Sequence, residues 1–206
     1  MRLTGRRITL IGAFAIWVVA VAVGLALLWR YENTSGANAS PPPQWPVAST
    51  VKAATDRATL VMLVHPRCPC SRATIGELAR LMAQTQDRLK AYALFVKPEG
   101  TSEDWEKTDL WRSAIDIPGV EVVMDDGEEA RRFNAVTSGQ TVVYDAEGHL
   151  LFSGGITGSR GHSGDNPGRS AIVSLVNGGD EKKSESAVFG CPLFGPHSAC
   201  KESEDD

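Results

Sequence analysis

The chain has 206 residues, 42% hydrophobic and 22% charged, with four cysteines and a formal net charge of −4. That composition suits one folded domain with extensions and excludes disorder throughout. Twenty-one Lys and Arg against 25 Asp and Glu leave no basic surplus, so nucleic-acid binding driven by charge is excluded as well.

The charge is unevenly spread: residues 1–30 hold four Arg and no acid. Ile8 to Trp29 is an uncharged run of 22 residues, about 33 Å as a helix and enough for a hydrocarbon core of about 30 Å. Residues 8–29 are therefore expected to be a transmembrane signal-anchor helix after a basic, cytoplasmic segment 1–7. Arg2, Arg6 and Arg7 precede the run and only Arg30 follows, so positive-inside bias puts the rest of the chain across the membrane. The alternative is a cleaved signal peptide with Ala37-Asn38-Ala39 as its small-residue cleavage site; the apolar run is longer than a usual signal core. Residues 30–46, rich in Asn, Ser, Ala and Pro and ending in Pro41-Pro42-Pro43, are expected to be an extended linker. A folded domain is expected over 47–179, followed by a Cys-containing extension with an acidic tail over 180–206.

Within the domain, Ala58 to Val64 is a short apolar run closed by His65-Pro66 and reads as a buried parallel strand. Ile75, Leu78, Ala79 and Met82 are spaced for one buried helix face, with Arg72, Glu77, Arg80 and Gln84 opposite. Ala91 to Val96 reads as a second buried strand. A helix through Leu110, Trp111 and Ile115 follows, capped by Ser102 or a neighbour. Val120 to Met124 is strand-like and Glu128 to Phe133 a short helix. Thr141 to Tyr144 and His149 to Phe152 form a hairpin around Asp145-Ala146-Glu147-Gly148. A last helix covers Arg169 to Val176, ended by Asn177-Gly178-Gly179. This order predicts an α/β layer structure with a mixed sheet.

Cys68-Pro69-Cys70-Ser71 falls between a buried strand and the first turn of a helix. Helix N-termini present unpaired N–H groups and partial positive charge, which favour a thiolate and lower a Cys pKa from about 8.5 to between ~3.5 and 7.5. Arg67 and Arg72 add positive charge, and Pro69 suits a first helical position. Cys68 is thus expected to be ionised and reachable.

This strand, cysteine motif and helix, followed by the helix and strand around Trp105 to Met124, the hairpin and the final helix, resemble the thioredoxin-like superfamily. The resemblance covers about residues 50–178 and is to membrane-anchored TlpA/ResA-like thiol-disulfide oxidoreductases, closest to RedB-type proteins. It implies a thioredoxin-like three-layer fold with a central mixed β-sheet, preceded by the one transmembrane helix. It implies further that Cys68 is the attacking cysteine of the family's Cys-x-x-Cys motif, with Ser71 where the second cysteine stands and Cys70 inside the motif. Gln140, in Val136-Thr137-Ser138-Gly139-Gln140-Thr141, occupies the place where the family usually has a cis-proline.

A Cys-x-Cys disulfide closes only a small, strained ring, so either Cys70 or a C-terminal cysteine is the resolving thiol. Cys191 and Cys200 have three readings: a structural disulfide, favoured by compartment, a relay that folds back on Cys68 and Cys70, or metal ligation. The metal alternative groups Cys68, Cys70, His65 and His162 as ligands suited to copper; otherwise no cofactor is expected. His65, Arg67, Ser71, Gln140, Arg160 and His162 are candidate site-lining residues. The last two come from a loop with six glycines between Gly154 and Gly168, long enough to carry function. Asp165 or Asn166 is expected to cap the last helix, and Trp105 and Trp111 to pack.

The expected activity is thiol-disulfide exchange with a protein partner, by a single-pass protein of the inner (cytoplasmic) membrane with its domain on the periplasmic side. The alternatives are a copper-binding or delivery module on the same fold and a thiol peroxidase.

Overall fold

The computed structural model describes residues 2–37, 39–85, 87–97, 101–102, 104–179 and 184–195. The chain divides into two compact units, Met1–Thr34 and Ser35–Asp206. The first is helix α1 (Arg2–Glu32). Its stretch Arg6–Glu32 is long and apolar enough, by length and composition, to cross a membrane. The Asn33 amide and the Thr34 hydroxyl donate to the carbonyls of Trp29 and Arg30 at 2.9 and 2.5 Å, satisfying groups that a helix end leaves unpaired.

The second unit is built on a sheet of β1 (Ala58–Val64), β2 (Leu89–Val96), β3 (Val120–Asp125), β4 (Thr141–Tyr144), β5 (Leu150–Gly154) and β6 (Ser184–Glu185), in the spatial order β3-β2-β1-β4-β5-β6. β1, β2 and β3 are parallel; β4 runs antiparallel to β1 and β5 antiparallel to β4. Both faces of the central strands are buried, which is why they read as continuous apolar runs. Leu60, Met62 and Val64 of β1, with Ala91, Ala93 and Phe95 of β2, join a cluster that includes Ile75, Leu78 and Leu81 of helix α2 (Ser71–Thr85) and Ile172 of α5 (Pro167–Val176). The alternate residues Val61, Leu63, Tyr92 and Leu94 pack on the other face with Ala130 of α4 (Glu128–Arg132). Each fully buried Val, Leu, Ile, Met or Phe side chain among them contributes about 1.5–3 kcal/mol by leaving water. A βαβ unit followed by an antiparallel hairpin and a helix, layered on both faces of one mixed sheet, is the thioredoxin-like arrangement.

Three local expectations are corrected. Helix α3 is Asp109–Ile115 with Thr108 at its N-cap and no capping side chain. Ser102 instead accepts a turn bond at its carbonyl from the Trp105 N–H, and the Trp105 side chain is buried. Of residues 30–46, read as an extended linker, 35–37 and 39–45 lie along the domain. Tyr144 OH donates to the Pro42 carbonyl at 2.9 Å, Leu150 N–H to that of Pro43, and Trp45 packs edge-on against Phe133 and Tyr144. The apolar surface under Trp45 makes docking more favourable than a solvated spacer.

Glu77, placed by periodicity on the outer face of α2, is fully buried. Its carboxylate pairs with Arg169 and Arg80 and accepts from Gly164 N–H and the Asn166 amide. Asn166 also caps α5 by accepting from Arg169 N–H at 2.8 Å, as expected. The pair ties α2 to the glycine-rich loop, since a buried charge left without its partner costs about 3–5 kcal/mol. Glu77→Ala is therefore expected to destabilise the domain by about 3–5 kcal/mol, measured by urea unfolding of the detergent-solubilised chain; a loss within the range of exposed-residue substitutions would refute the role.

Candidate functional site

The site forms where β1 runs out. After Val64 the chain makes two successive turns: Cys68 N–H donates to the His65 carbonyl at 3.1 Å and Ser71 N–H to the Cys68 carbonyl at 3.0 Å. The Cys70 carbonyl then takes the first helical bonds, from Thr74 N–H and Thr74 Oγ1, both at 3.4 Å. Cys70 is thus the residue at the lip of α2. Pro69 precedes the helix rather than opening it, and Cys68 sits two residues before the lip.

Beside this lip lies the segment before β4. Gln140 N–H donates to the Thr137 carbonyl in a tight turn that Gly139 makes possible with φ +89°, a conformation that L side chains rarely adopt. Gly139 N–H and the Gln140 carbonyl bond the carbonyl and N–H of Leu63, at 2.7 and 2.9 Å. The turn is thereby stitched to the end of β1. Ser138, which sequence reasoning quoted but did not single out, is the hub. Its hydroxyl accepts from His65 N–H at 2.8 Å and is 2.9 Å from the Ser71 hydroxyl.

The C-terminal segment closes the site. Ser138 N–H donates to the Cys191 carbonyl at 2.8 Å and Leu193 N–H to that of Val136 at 2.9 Å, with Thr137 and Pro192 forming an antiparallel bridge. Arg160 donates to the Gly190 carbonyl at 2.7 Å. Leu193 and Val188 are buried on either side. This pairing sets the Cys191 and Cys68 Sγ atoms 3.0 Å apart.

Three thiols therefore meet, and they are not equivalent. The Cys68 pKa is held far below the ordinary thiol range, first by the hydrogen bond with Cys191, then by that with Cys70, with the Ser71 hydroxyl assisting against the opposing effect of burial. Cys70 and Cys191 are pushed well up because each donates to Cys68 and is partly desolvated, with Arg160 opposing the rise in both. Of the three, Cys68 is the thiol whose ionisation its neighbours favour.

Cys68, expected to be reachable, is 1% exposed. The Cys191 Sγ stands against it, and the small cavity lined by Arg67, Cys68, Pro69, Arg72 and Asp109, about 120 Å³, holds a few waters and not a peptide. Of the predicted lining residues, Ser71 and Arg160 touch the thiol cluster. Arg67 lies over the Trp105 ring at 5.1 Å. His65 is buried edge-on against Trp105, its Nδ1 accepting from Arg67 N–H. Gln140 is buried with its amide donating to Ser153 Oγ at 3.1 Å, and there is no cis peptide bond among the described residues. His162 is exposed. Cys200 lies outside the described residues, so its pairing does too. Among the described residues no group of three or more His, Cys, Asp or Glu side chains is arranged to hold a metal ion.

No family model matches the chain, and no curated protein does. Among solved structures, a hypothetical protein from Sinorhizobium meliloti is 19% identical with a TM-score of 0.57, the match covering 78% of this chain and 97% of that one. A conserved protein from Geobacillus kaustophilus is 20% identical with a TM-score of 0.57, over 80% and 94%. A secreted disulfide oxidoreductase from Mycobacterium tuberculosis is similar at 13% identity and a TM-score of 0.42, over 59% and 81%. At these identities the likeness is one of fold. Fold and site together define a thioredoxin-like domain with three clustered thiols at the start of its first domain helix.

In the fully reduced protein, ultraviolet thiolate absorbance is expected to show one thiolate persisting at neutral pH and lost only on strong acidification, because a lowered pKa keeps Cys68 ionised above it. The other two thiols ionise only above the ordinary thiol range. Cys68→Ser is expected to remove the neutral-pH thiolate signal; its persistence would refute the assignment.

Proposed function

We propose that the protein is a membrane-anchored thiol-disulfide oxidoreductase in which Cys68 attacks a disulfide of a partner protein and a neighbouring thiol resolves the mixed disulfide. The observation that carries this reading is the meeting of sulfurs where β1 turns into α2, with the Cys191 Sγ 3.0 Å from that of Cys68: a thiolate is the nucleophile in disulfide exchange, and a thiol in reach of it is what a second exchange needs. Ser71 and Ser138 hold the cluster in register, as preorganisation of a nucleophile requires.

The anchored arrangement rests on α1, with the basic residues at its start favouring a cytoplasmic N-terminus and a domain beyond the cytoplasmic membrane, on the periplasmic side. That compartment permits disulfide chemistry. A place among RedB-type proteins is the finer form of this reading; it rests on the resemblance of residues 50–178.

The test uses the full chain in detergent, reduced and freed of reductant, with an oxidised model peptide disulfide. Cys68→Ser is expected to bring single-turnover exchange down to the uncatalysed background, whereas Cys70→Ser retains the first step. Wild-type exchange in Cys68→Ser would reject the function. Rapid formation of a Cys68 sulfenic acid with peroxide, without exchange, would point to peroxidase chemistry instead.

A further inference from the structure

A nucleophile 1% exposed reacts with a protein only if what stands against it moves, and Cys191, its Sγ 3.0 Å away, is carried by one stretch of chain. Residues 190–193 hold to the 136–138 edge through two backbone hydrogen bonds, from Ser138 N–H to the Cys191 carbonyl and from Leu193 N–H to the Val136 carbonyl. Those bonds carry no side-chain specificity, so any extended peptide supplying an acceptor and a donor in the same register would make them equally well. Ser138 N–H can serve one such strand at a time. The fit is close at one point: a Cβ on Gly190 would stand 1.9 Å from the Ser138 carbonyl oxygen, so a side chain there would force the two backbones apart.

We propose that the 136–138 edge is the docking edge for an extended, cysteine-bearing segment of the partner protein. Residues 190–193 are the chain's own competing strand, and Cys191, not Cys70, is the resolving thiol. This rests on the oxidoreductase reading above. The partner segment displaces 190–193, and the Cys68 thiolate attacks the partner's disulfide sulfur. The Cys68 Sγ–partner bond forms, the partner's S–S bond breaks, and its other sulfur leaves as a thiolate. Residues 190–193 then re-pair with the edge. Cys191 gives up its proton and attacks Cys68 Sγ, breaking the mixed disulfide and expelling the partner's sulfur, which takes that proton. The partner's disulfide has been reduced by two electrons and the Cys68–Cys191 dithiol oxidised to a disulfide; the next turnover needs an external dithiol. Cys191 is 123 residues from Cys68 along the chain and already at 3.0 Å, so its closure needs no small ring. Closure onto Cys70 has to bend a ring through Pro69, whose φ is fixed.

The probe is a peptide of the chain's own residues 188–194, its cysteine activated as a mixed disulfide with thionitrobenzoate, added to the reduced full chain in detergent. Wild type is expected to release thionitrobenzoate, then free peptide, and to end with a Cys68–Cys191 disulfide by mass mapping after acid quench. Cys191→Ser is expected to halt at the Cys68–peptide mixed disulfide, while Cys70→Ser runs to completion. Gly190→Ala, with all thiols present, is expected to speed alkylation of Cys68 by about tenfold or more, because it raises the population of the opened cover. The same peptide with Ala in place of its glycine is expected to react about tenfold more slowly, as docking at that edge demands.

Accumulation of the mixed disulfide in Cys70→Ser, or a Cys68–Cys70 disulfide in wild type, overturns the resolving role while leaving the oxidoreductase reading intact. Equal alkylation in Gly190→Ala, or equal rates for the two peptides, overturns the competing-strand role. Thionitrobenzoate release unchanged in Cys68→Ser overturns the underlying function.

Discussion

Burying an anionic sulfur costs several kcal/mol even after the protein relaxes around it, and the surroundings of Cys68 are arranged to offset that cost. The approach of α2 supplies some positive potential, though Cys68 lies two residues before the lip, where a helix dipole has begun to fade. The larger contribution comes from donors at contact: the thiols of Cys191 and Cys70 and the hydroxyl of Ser71. Charge-assisted hydrogen bonds of this kind are about twice as strong as neutral ones. They hold the thiolate without exposing it.

That solution places a demand on the fold, because one of the donors, Cys191, comes from a distant part of the chain. Ser71 is brought in by the turn from β1 into α2. Cys191 arrives from the C-terminal segment, and Ser138 links the two, bonding Ser71 through its hydroxyl and Cys191 through its backbone. Ser138 is in turn fixed by the left-handed Gly139 and by the exchange of bonds between Leu63 and the 139–140 pair. The thioredoxin-like core therefore does two jobs at this corner: β1 ends there, and the strand order leaves β4 beside it, so the segment entering β4 must pass the thiol.

The core strands were legible in the sequence because both sheet faces are buried, which writes an uninterrupted apolar run at Ala58 to Val64 and near Ala91 to Val96. The hairpin was legible from Asp145 and Gly148, and the start of α5 from Asn166. The place of Cys68 between strand and helix was legible from the apolar run before it and the helical period after it. Three features could not. Glu77 follows the polar period of α2 and gives no sign that Arg169, 92 residues on, will bury with it. The docking of 35–37 and 39–45 depends on a groove around Phe133 and Tyr144 that exists only once the sheet has formed. The meeting of Cys191 with Cys68 was one of three readings of the C-terminal cysteines and could not be singled out, because it depends on a β-bridge between Thr137 and Pro192 too short to leave a pattern in sequence. Trp105 packs as expected, its position set by a turn and by the His65 ring it faces.

How firmly the cover closes follows from what holds it. Between the buried Val188 and Leu193, the stretch carrying Cys191 is held by Arg160 on the Gly190 carbonyl and by Ser138 on that of Cys191. Each such bond contributes about 1 kcal/mol net. Leu193 adds about 1.5–3 kcal/mol of burial if it is lifted as well. Opening the cover thus costs a few kcal/mol, far less than unfolding the sheet beneath it, so the opened form is a minor and steadily populated state. A thiolate held closed by that margin is protected from casual oxidants most of the time, and is released by any strand that pairs with the same edge at least as well as the chain's own.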